Sequence, residues 1–283
     1  MSIELSLSNL SCGWQSAEVV EDTSPTDHDF SGHFGLLPIM GKTGFGKTTL
    51  LNVLSGYMPP LQGHLTWTVD GQEFSWGHNK PLKTAMKRVL PFGVARQGSD
   101  LPRVFKIGET IEGLLHFRGF ERDAARIKMK KSIEAFSIDG EQADDLAEKY
   151  PHEVSGGQRQ RMALACAIAH NPRVLFADEP TGSLDAETRT EVLNAIYSWL
   201  NSSNAEKDRA FVFATHSPVD ISSLVRPKYL SDKPPKLDYC VVERRRSVSL
   251  GFEVKDDGPR VFGIYAFEEL ESKPPLSLRE ELV

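Results

Sequence analysis

A glycine-rich run, GKTGFGKTT at residues 41–49, directly follows a short apolar stretch at residues 36–40. Its three glycines free the backbone to curl, so that successive N–H groups can point inward at an anion. Lys47 and Thr48 then begin a predicted helix, and the apolar side chains of residues 48–57 have helical spacing. The run matches G-x-x-x-x-G-K-[ST] and predicts a buried strand, a phosphate-binding loop and a helix in that order. An ordinary strand-to-helix turn is the alternative interpretation.

The charge and cysteine content of the chain limit its partners. The 283 residues include 33 Lys and Arg against 39 Asp and Glu, a net charge of -6. We therefore expect no nucleic-acid partner, although a local basic patch stays open. Cys12, Cys166 and Cys240 are widely spaced and lack metal-ligand spacing, which indicates reduced thiols in a cytosolic compartment. With neither a signal-peptide pattern nor an apolar run of about 18 residues, the sequence predicts a soluble chain that reaches a membrane through partners.

The N-terminal part of the chain is predicted to form a small β layer. Residues 3–10 alternate apolar and polar side chains, which predicts a half-exposed strand at the edge of a sheet. The acidic residues 18–33, rich in Ser, Thr and His, predict a long hairpin connection or loop. Residues 61–76 predict two short strands joined at Asp70-Gly71.

Helices and strands alternate in the rest of the chain. Residues 121–150 have helical character, with apolar positions at Ile127, Ile133 and Phe136. The alternation predicts an α/β fold with a mostly parallel sheet, in which ligands bind at the carboxyl ends of the strands. The later predicted elements are a helix at 158–170, a strand at 174–177, a helix at 186–200 and a strand at 211–214.

Polar clusters follow three of these strands, as a triphosphate site requires. A nucleoside triphosphate needs a cradle for its oxygens, a magnesium site and a group that orients water. The backbone amides of residues 43–48 can form the cradle, while Lys47 reaches the β and γ oxygens and the Thr48 hydroxyl ligates Mg²⁺. Each cluster taken alone has two interpretations, an ordinary solvated loop or part of a triphosphate site.

The other two clusters are Asp178-Glu179 and Thr215-His216. Asp178 ends a predicted buried strand and can hold the same ion, through water. Because successive side chains of an extended backbone point to opposite sides, we expect Glu179 to address the attacking water instead. His216 alone is equally compatible with a structural histidine.

A further motif makes the family recognisable. VSGGQ at residues 154–158 is followed, 23 residues after Ser155 (178 - 155 = 23), by Asp178. From about residue 3 to about residue 224 the chain resembles the nucleotide-binding subunits of ABC transporters. The motifs that carry the resemblance are the phosphate loop GKTGFGKTT, the glutamine loop with Gln97, the signature VSGGQ, the acidic strand VLFADE, the D-loop SLD at 183–185 and the switch histidine His216.

The resemblance implies a particular architecture. It is an ABC-type P-loop NTPase with a RecA-like mixed sheet, an antiparallel β subdomain and an α-helical signature subdomain at about 98–170. Residues 225–283 diverge from the family, and their own sequence pattern predicts an extra C-terminal β element. The expected domains are an ABC ATPase domain at 1–224 and an extension at 225–283. In that extension, residues 239–243 are expected to complete the sheet, and VSLGFEV and RVFGIYAF to form a small β element. The three arginines at 244–246 indicate either a solvated edge or a contact with lipid or a partner.

The resemblance also assigns roles to residues. Catalysis is expected from Glu179, His216 and Lys47, and metal binding from Thr48, Gln97 and Asp178, with ATP and Mg²⁺ as cofactors. Trp14 is expected to stack on adenine, with a core tryptophan as the alternative. Asp185 is expected to connect two sites across a dimer. The expected ATP-binding set is Trp14, Gly41, Lys42, Thr43, Gly44, Phe45, Gly46, Lys47, Thr48 and Thr49, and the signature set that contacts the ATP of a partner subunit is Ser155, Gly156, Gly157 and Gln158.

The resemblance finally implies partners and a role in the cell. A second copy of the chain, or a paralogous cassette, is expected to pair with it head to tail, and a membrane-spanning permease to hold it at the inner face of the membrane. The run PTGSLD is most similar to the lipoprotein-releasing and macrolide-efflux group, which favours export or extraction of an envelope substrate. A regulatory or scaffold cassette for an envelope or division partner is the alternative. An ATPase acting on DNA or ribosomes is a third hypothesis, disfavoured by the acidic charge.

Departures from the family pattern are few. Phe45 and Lys42 are unusual in the phosphate loop, Ala95 and Arg96 precede Gln97 where apolar or aromatic residues are expected, and residues 18–35 lack the typical strand and turn. None of these removes a group that hydrolysis needs.

Overall fold

A computed structural model describes residues 3–14, 17–20, 26–29, 35–40, 46–82, 89–96, 101–138, 140–200, 209–217, 220, 236–241 and 264–266. These residues form two sheets and a group of helices. The strands are β1 (Ile3–Trp14), β2 (Ala17–Val20), β3 (Thr26–Asp29), β4 (Gly35–Met40), β5 (Gln62–Val69), β6 (Gln72–Gly77), β7 (Phe92–Ala95), β8 (Val174–Asp178), β9 (Ala210–Thr215), β10 (Lys236–Val241) and β11 (Ile264–Ala266). The helices are α1 (Lys47–Leu54), α2 (Ile107–Phe117), α3 (Arg122–Glu134), α4 (Ala143–Glu148), α5 (Gly156–Ile168) and α6 (Ala186–Leu200).

The first sheet is antiparallel, with β1 inside it. Its order is β2-β1-β5-β6, and β3 also pairs with β1. The predicted edge position of residues 3–10 is therefore wrong, since β1 has β5 on one side and β2 and β3 on the other. The predicted loop at 18–33 is also wrong where β2 and β3 lie. Backbone groups pair regardless of polar side chains, so composition alone did not show these strands. The hairpin at Asp70-Gly71 is confirmed, because β5 and β6 flank that turn.

The second sheet is mostly parallel, as predicted. Its order is β11-β10-β4-β9-β8-β7, and only β11 runs antiparallel to its neighbour, β10. β10 covers most of the strand predicted at 239–243, and β11 lies within RVFGIYAF. The two strands that the structure describes in the C-terminal extension thus join the central sheet. VSLGFEV and the three arginines at 244–246 lie outside the described residues, and the domain boundary at 224 stays a prediction.

Aromatic side chains between the two sheets fix the position of α1. Trp67 and Trp76 are buried, and their indole N–H groups donate to the carbonyls of Leu54 and Val53, each at 2.9 Å. Phe92 lies edge-on to both tryptophans, with ring centroids 5.5 and 6.2 Å away. Such hydrogen bonds contribute about 1 kcal/mol each, and the rings bury a large apolar area. The helix that follows the glycine-rich run is therefore anchored at its C-terminal end by the antiparallel sheet.

The helices α2 to α5 pack on one another and share a core with α6. Of the three apolar positions named in the predicted helical segment, Ile133 and Phe136 are buried, whereas Ile127 is 57% exposed. α6 has the predicted bounds, while α5 begins and ends two residues before the predicted helix at 158–170. α2 has no counterpart among the individually predicted helices. In the part of the chain that the structure describes, every helix is too short or too polar to cross a membrane.

Candidate active site

The carboxyl ends of three adjacent strands bring the predicted polar clusters together. β4, β9 and β8 are parallel neighbours, with Met40 opposite Thr215 and Asp178 opposite Ala214. The end of β4, the pair Asp178-Glu179 and His216 therefore lie at one edge of the sheet. The predicted loop residues Gly41, Lys42, Thr43, Gly44 and Phe45 lie outside the described residues, as does Gln97.

The start of α1 has the geometry of an anion site. Gly46 precedes the helix with φ 98, a left-handed conformation that glycine adopts without steric cost. Lys47 is the first helical residue and is only 5% exposed. Burial lowers the pKa of Lys47, while Glu179 and Asp178 raise it. The helix N-terminus and this cation together favour a negatively charged ligand. Thr48 is exposed at the same end, whereas Thr49 is buried.

Asp178 is a buried carboxylate without ordinary hydrogen bonds. It is 5% exposed, and neither of its oxygens accepts a hydrogen bond of ordinary geometry from the residues that the structure describes. Burial raises its pKa, which the nearby Thr48 side chain and the charges of Lys47 and Arg96 oppose. Buried polar groups normally have partners, so these oxygens suit a divalent cation, which prefers oxygen ligands. The donor set of Asp178 and Thr48 therefore fits Mg²⁺.

Glu179 adopts an unusual backbone conformation. β8 ends at Asp178, and Glu179 has φ 49, so the expected extended backbone at this position is wrong. A left-handed conformation is disfavoured for a residue with a side chain, and functional sites often hold such residues. Its carboxylate oxygen lies 3.2 Å from Nδ1 of His216. His216 is 54% exposed and Glu179 18% exposed, so both can reach a ligand or water at the strand ends.

Three interactions hold the backbone of Glu179. Its N–H donates to the carbonyl of Ala214 at 2.9 Å. Its carbonyl accepts from the N–H of Gly182 at 3.2 Å and from Nε2 of Gln160 at 2.6 Å. A Cβ at position 182 would lie 3.3 Å from the Glu179 carboxylate, so the close approach favours glycine there. The sequence prediction missed Gln160 and Gly182. For Gln160, the one sequence signal was its position one helical turn after Gly156 of the signature.

A second buried carboxylate, Asp220, was also missed. It is 1% exposed and accepts from the hydroxyl groups of Thr181 (2.7 Å) and Thr215 (2.8 Å). Thr181 follows Glu179 by two residues, and Thr215 directly precedes His216. Asp220 therefore fixes the two segments that carry the Glu179–His216 pair. Its position four residues after His216 carried no recognisable sequence signal.

The signature residues form the N-terminus of α5. The Ser155 hydroxyl accepts from the Gln158 N–H at 3.1 Å, and the Gln158 side chain accepts from the Ser155 N–H at 2.9 Å, a capping box. Ser155 and Gly156 are exposed. The free hydroxyl hydrogen of Ser155 and the uncapped N–H groups of Gly156 and Gly157 can donate to an anion from outside. Gln158 also donates to Glu141 at 2.9 Å, so its side chain is engaged within the chain.

A buried ion pair supports this helix terminus. Arg161, 4% exposed, donates to both carboxylate oxygens of Glu141 at 2.6 and 2.8 Å and to the Phe136 carbonyl at 2.8 Å. The hydrogen bond from Arg161 lowers the pKa of Glu141 to about 2, with burial opposing it. The signature helix is thereby fixed to the segment between α3 and α4.

Glu141→Gln is expected to destabilise the chain by about 2 kcal/mol at pH 7, because it leaves Arg161 without its anion. The pKa of Glu141 is depressed in the folded state, so the stabilisation is complete above the ordinary value of 4.5 and is lost as pH falls towards about 2. Denaturant unfolding at several pH values should show the difference between variant and wild type shrinking below pH 4.5. Glu148→Gln, which breaks the exposed pair with Lys106, is the control and should destabilise the chain far less, because solvent screens an exposed pair. An equal loss in both variants would contradict this role.

Asp185 and Trp14 are the remaining predicted site residues. The Asp185 carboxylate accepts from the N–H groups of Glu187 (3.1 Å) and Thr188 (3.0 Å) and so caps α6, and these hydrogen bonds lower its pKa. Its role across a dimer stays a prediction. Trp14 ends β1, and the stacking role of its side chain also stays a prediction.

The strand that leads to Gln97 is fixed from the helical side. Arg118 donates to the carbonyls of Leu90 (2.6 Å) and Phe92 (2.9 Å), and Nε2 of His170 lies 3.0 Å from the Phe92 carbonyl. Burial, with the charge of Arg118, lowers the pKa of His170 to about 3, so the ring is neutral and Nε2–H donates. At the other end of β7, the Arg96 guanidinium stacks 4.1 Å above the ring of Tyr57.

A Lys at a helix start, two carboxylates and a histidine on adjoining ends of a parallel sheet are the groups that a nucleoside-triphosphatase requires. Comparison with known proteins agrees. The ABC transporter family model matches residues 33–182. The ATP-binding protein YtrE of Bacillus subtilis (strain 168) is 34% identical over 68% of this chain and 77% of its own length. The chain therefore belongs to the ABC transporter family, as an ATP-binding subunit with ATPase activity.

Other relatives and structures give the same result. The bacitracin export ATP-binding protein BceA of Halalkalibacterium halodurans is 36% identical over 69% of this chain and 72% of its own length. The lipoprotein-releasing ATP-binding protein LolD of Buchnera aphidicola is 34% identical over 66% and 76%. A dimeric post-hydrolysis structure of the ATP-binding cassette MJ0796 with ADP and Pi has a TM-score of 0.65 at 21% identity and covers 85% of this chain and 97% of its own. That likeness confirms the predicted cassette fold.

Proposed function

We propose that ATP lies at the N-terminus of α1 and that Glu179 and His216 hold the water that attacks it. The single observation that carries the proposal is the 3.2 Å contact between Glu179 and His216 at adjoining strand ends, beside Asp178 and Lys47. The water oxygen bonds to the γ-phosphorus, Glu179 takes the proton, and the bond to the β–γ bridging oxygen breaks to release ADP. Lys47 binds the β and γ oxygens throughout.

Magnesium is proposed as the ion at Asp178 and Thr48. The two buried carboxylate oxygens without ordinary hydrogen bonds support this. The bound ion supplies positive charge that neutralises the phosphate oxygens. Gln97 is proposed as a further ligand from the family pattern.

A second copy of the chain is proposed to complete each site. Ser155 and Gly156 are exposed at a helix N-terminus, and an exposed anion site needs a ligand from outside. The γ-phosphate held by the other copy is that ligand in a head-to-tail pair. The MJ0796 cassettes, which share this fold, are dimeric in their structures.

A membrane subunit is the proposed mechanical partner. The relatives BceA and LolD are named for export and for lipoprotein release, which supports export or extraction of an envelope substrate at the inner face of the membrane. Val104 and Phe105, 75% and 52% exposed, follow the Gln97 segment and give a partner an apolar surface. Phe105→Asp should reduce recovery of the membrane subunit with the tagged chain from solubilised membranes, without changing ATP binding. Unchanged recovery would contradict this surface.

Lys47→Ala is expected to weaken ATP binding by about 10- to 100-fold, because a charge-assisted contact to phosphate contributes roughly 1.5–3 kcal/mol. The measurement is titration with a fluorescent ATP analogue. Lys131→Ala, which removes an exposed lysine of α3, is the control and should bind as wild type does. Equal affinity of Lys47→Ala and wild type would overturn the proposed position of ATP.

A further inference from the structure

Gln160 bridges three parts of the chain that the proposed mechanism uses separately. It lies on α5, one turn beyond Gly156 of the signature. Its Nε2 donates to the Glu179 carbonyl at 2.6 Å, and its Oε1 accepts from the Ser183 hydroxyl at 2.5 Å. Both ends of one carboxamide therefore connect the signature helix to the catalytic carboxylate residue and to the D-loop.

The hydrogen bond to Glu179 acts on a disfavoured conformation. Glu179 has φ 49, and its peptide carbonyl receives two donors, Gln160 and the N–H of Gly182. The orientation of that peptide determines where the carboxylate lies relative to His216. The carboxamide is planar and hydrogen-bonded at both ends. A displacement of α5 therefore displaces the backbone of Glu179 as well.

We propose that Gln160 is a positioning residue for ATP hydrolysis that links the two ATP sites of the dimer through a single subunit. This rests on the proposed function, in which the N-terminus of α5 binds the γ-phosphate of the partner's ATP while Glu179 acts on the chain's own ATP. The distance along α5 from Gly156 to Gln160 is only about 6 Å, at roughly 1.5 Å per residue. Closure of the signature on one ATP therefore sets the carboxylate at the other.

Two substitutions at the same position separate the contacts. Gln160→Met keeps a similar length and removes both hydrogen bonds, whereas Gln160→Glu keeps an acceptor for Ser183 and removes the donor to Glu179. We expect both to lower kcat by about 10- to 100-fold, since a small misplacement of a catalytic group has this effect. ATP affinity and the thermal midpoint should stay close to wild type. The cooperative dependence of the rate on ATP concentration should become hyperbolic, which a merely structural role would not cause.

The experiment uses the full chain at high concentration, with single-turnover hydrolysis, ATP titration and thermal unfolding. Gln72→Met, on the exposed start of β6, is the matched control and should behave as wild type. Ser183→Ala should have a smaller effect, and the double variant Gln160→Met/Ser183→Ala should be no slower than Gln160→Met, because both act through one bridge.

The outcomes distinguish this inference from the proposed function. If Glu179→Gln abolishes hydrolysis but Gln160→Met keeps kcat within about two-fold of wild type, the bridge has no role and only this inference fails. If kcat falls but cooperativity in ATP persists in both variants, the link between sites is overturned. If Glu179→Gln itself hydrolyses ATP at the wild-type rate, the proposed catalytic role of Glu179 is wrong. The positioning role of Gln160, which depends on it, is then wrong as well.

Discussion

Glu179→Gln is expected to slow ATP hydrolysis by about 10³-fold, as loss of a general base typically does. ATP binding should remain near wild type, because Lys47 and the N-terminus of α1 are unchanged. Gln retains an oxygen that accepts from His216, so the pair at 3.2 Å survives and the loss is specific to proton transfer. Rates are measured as phosphate release at saturating ATP.

The same variant should accumulate a nucleotide-bound dimer. With hydrolysis blocked, ATP stays between the phosphate loop of one copy and the signature of the other. Light scattering after gel filtration in ATP should then give twice the 31.5 kDa of the chain. Glu73→Gln, an exposed carboxylate on β6, is the control and should hydrolyse ATP normally. Wild-type turnover by Glu179→Gln in the presence of the membrane subunit would show that the assigned role is wrong.

Asp178→Asn is expected to reduce ATP hydrolysis strongly and to stabilise the nucleotide-free chain. The native carboxylate is buried without ordinary hydrogen bonds, and burial raises its pKa. Its ionisation therefore opposes folding, an effect that sets in as pH rises above the ordinary value of 3.8 and grows until the carboxyl of the folded chain is ionised. We expect a thermal midpoint about 2–4 °C higher at pH 7, corresponding to roughly 1 kcal/mol. Hydrolysis should fall by at least about 100-fold because the ion loses its ligand.

The two effects of Asp178→Asn check each other. Thermal unfolding with and without Mg²⁺ and ATP should show a large ligand stabilisation in wild type and little in the variant. Asp145→Asn, which changes an exposed carboxylate of α4, is the control and should not raise the midpoint. A lower midpoint in nucleotide-free Asp178→Asn would mean that the carboxylate stabilises the fold. That result would contradict the proposal that Asp178 serves as a cation ligand.

Local patterns predicted those elements whose signals are contained in a few neighbouring residues. The bounds of α6, the hairpin at Asp70-Gly71 and the start of α1 after the glycine-rich run all agree with the sequence prediction. The strands β8 and β9 were also recognisable as continuous apolar runs ending in polar residues. Helical periodicity, turn residues and buried-strand runs depend on short-range steric and hydrophobic effects, so they can be read without knowing the tertiary contacts.

Pairing between distant segments could not be predicted in the same way. β1 lies inside its sheet because β2 and β3 pair with it, and the polar residues of β3, TDHD, carry no strand pattern. Ile127 is an apolar residue of a predicted helical segment and is nevertheless 57% exposed, because tertiary packing decides which face of a helix is covered.

The sequence by itself determined the class of site, because GKTGFGKTT, VSGGQ and FADEP each place a required chemical group within a few residues of a strand or helix end. Tertiary structure alone decided how those groups act on one another. The left-handed Glu179, the buried carboxylate of Asp178 and the bridge from Gln160 all depend on contacts between residues 19 or more positions apart or on burial under other elements. Hydrogen bonds and desolvation are set by what surrounds a side chain, and only folding brings those surroundings together.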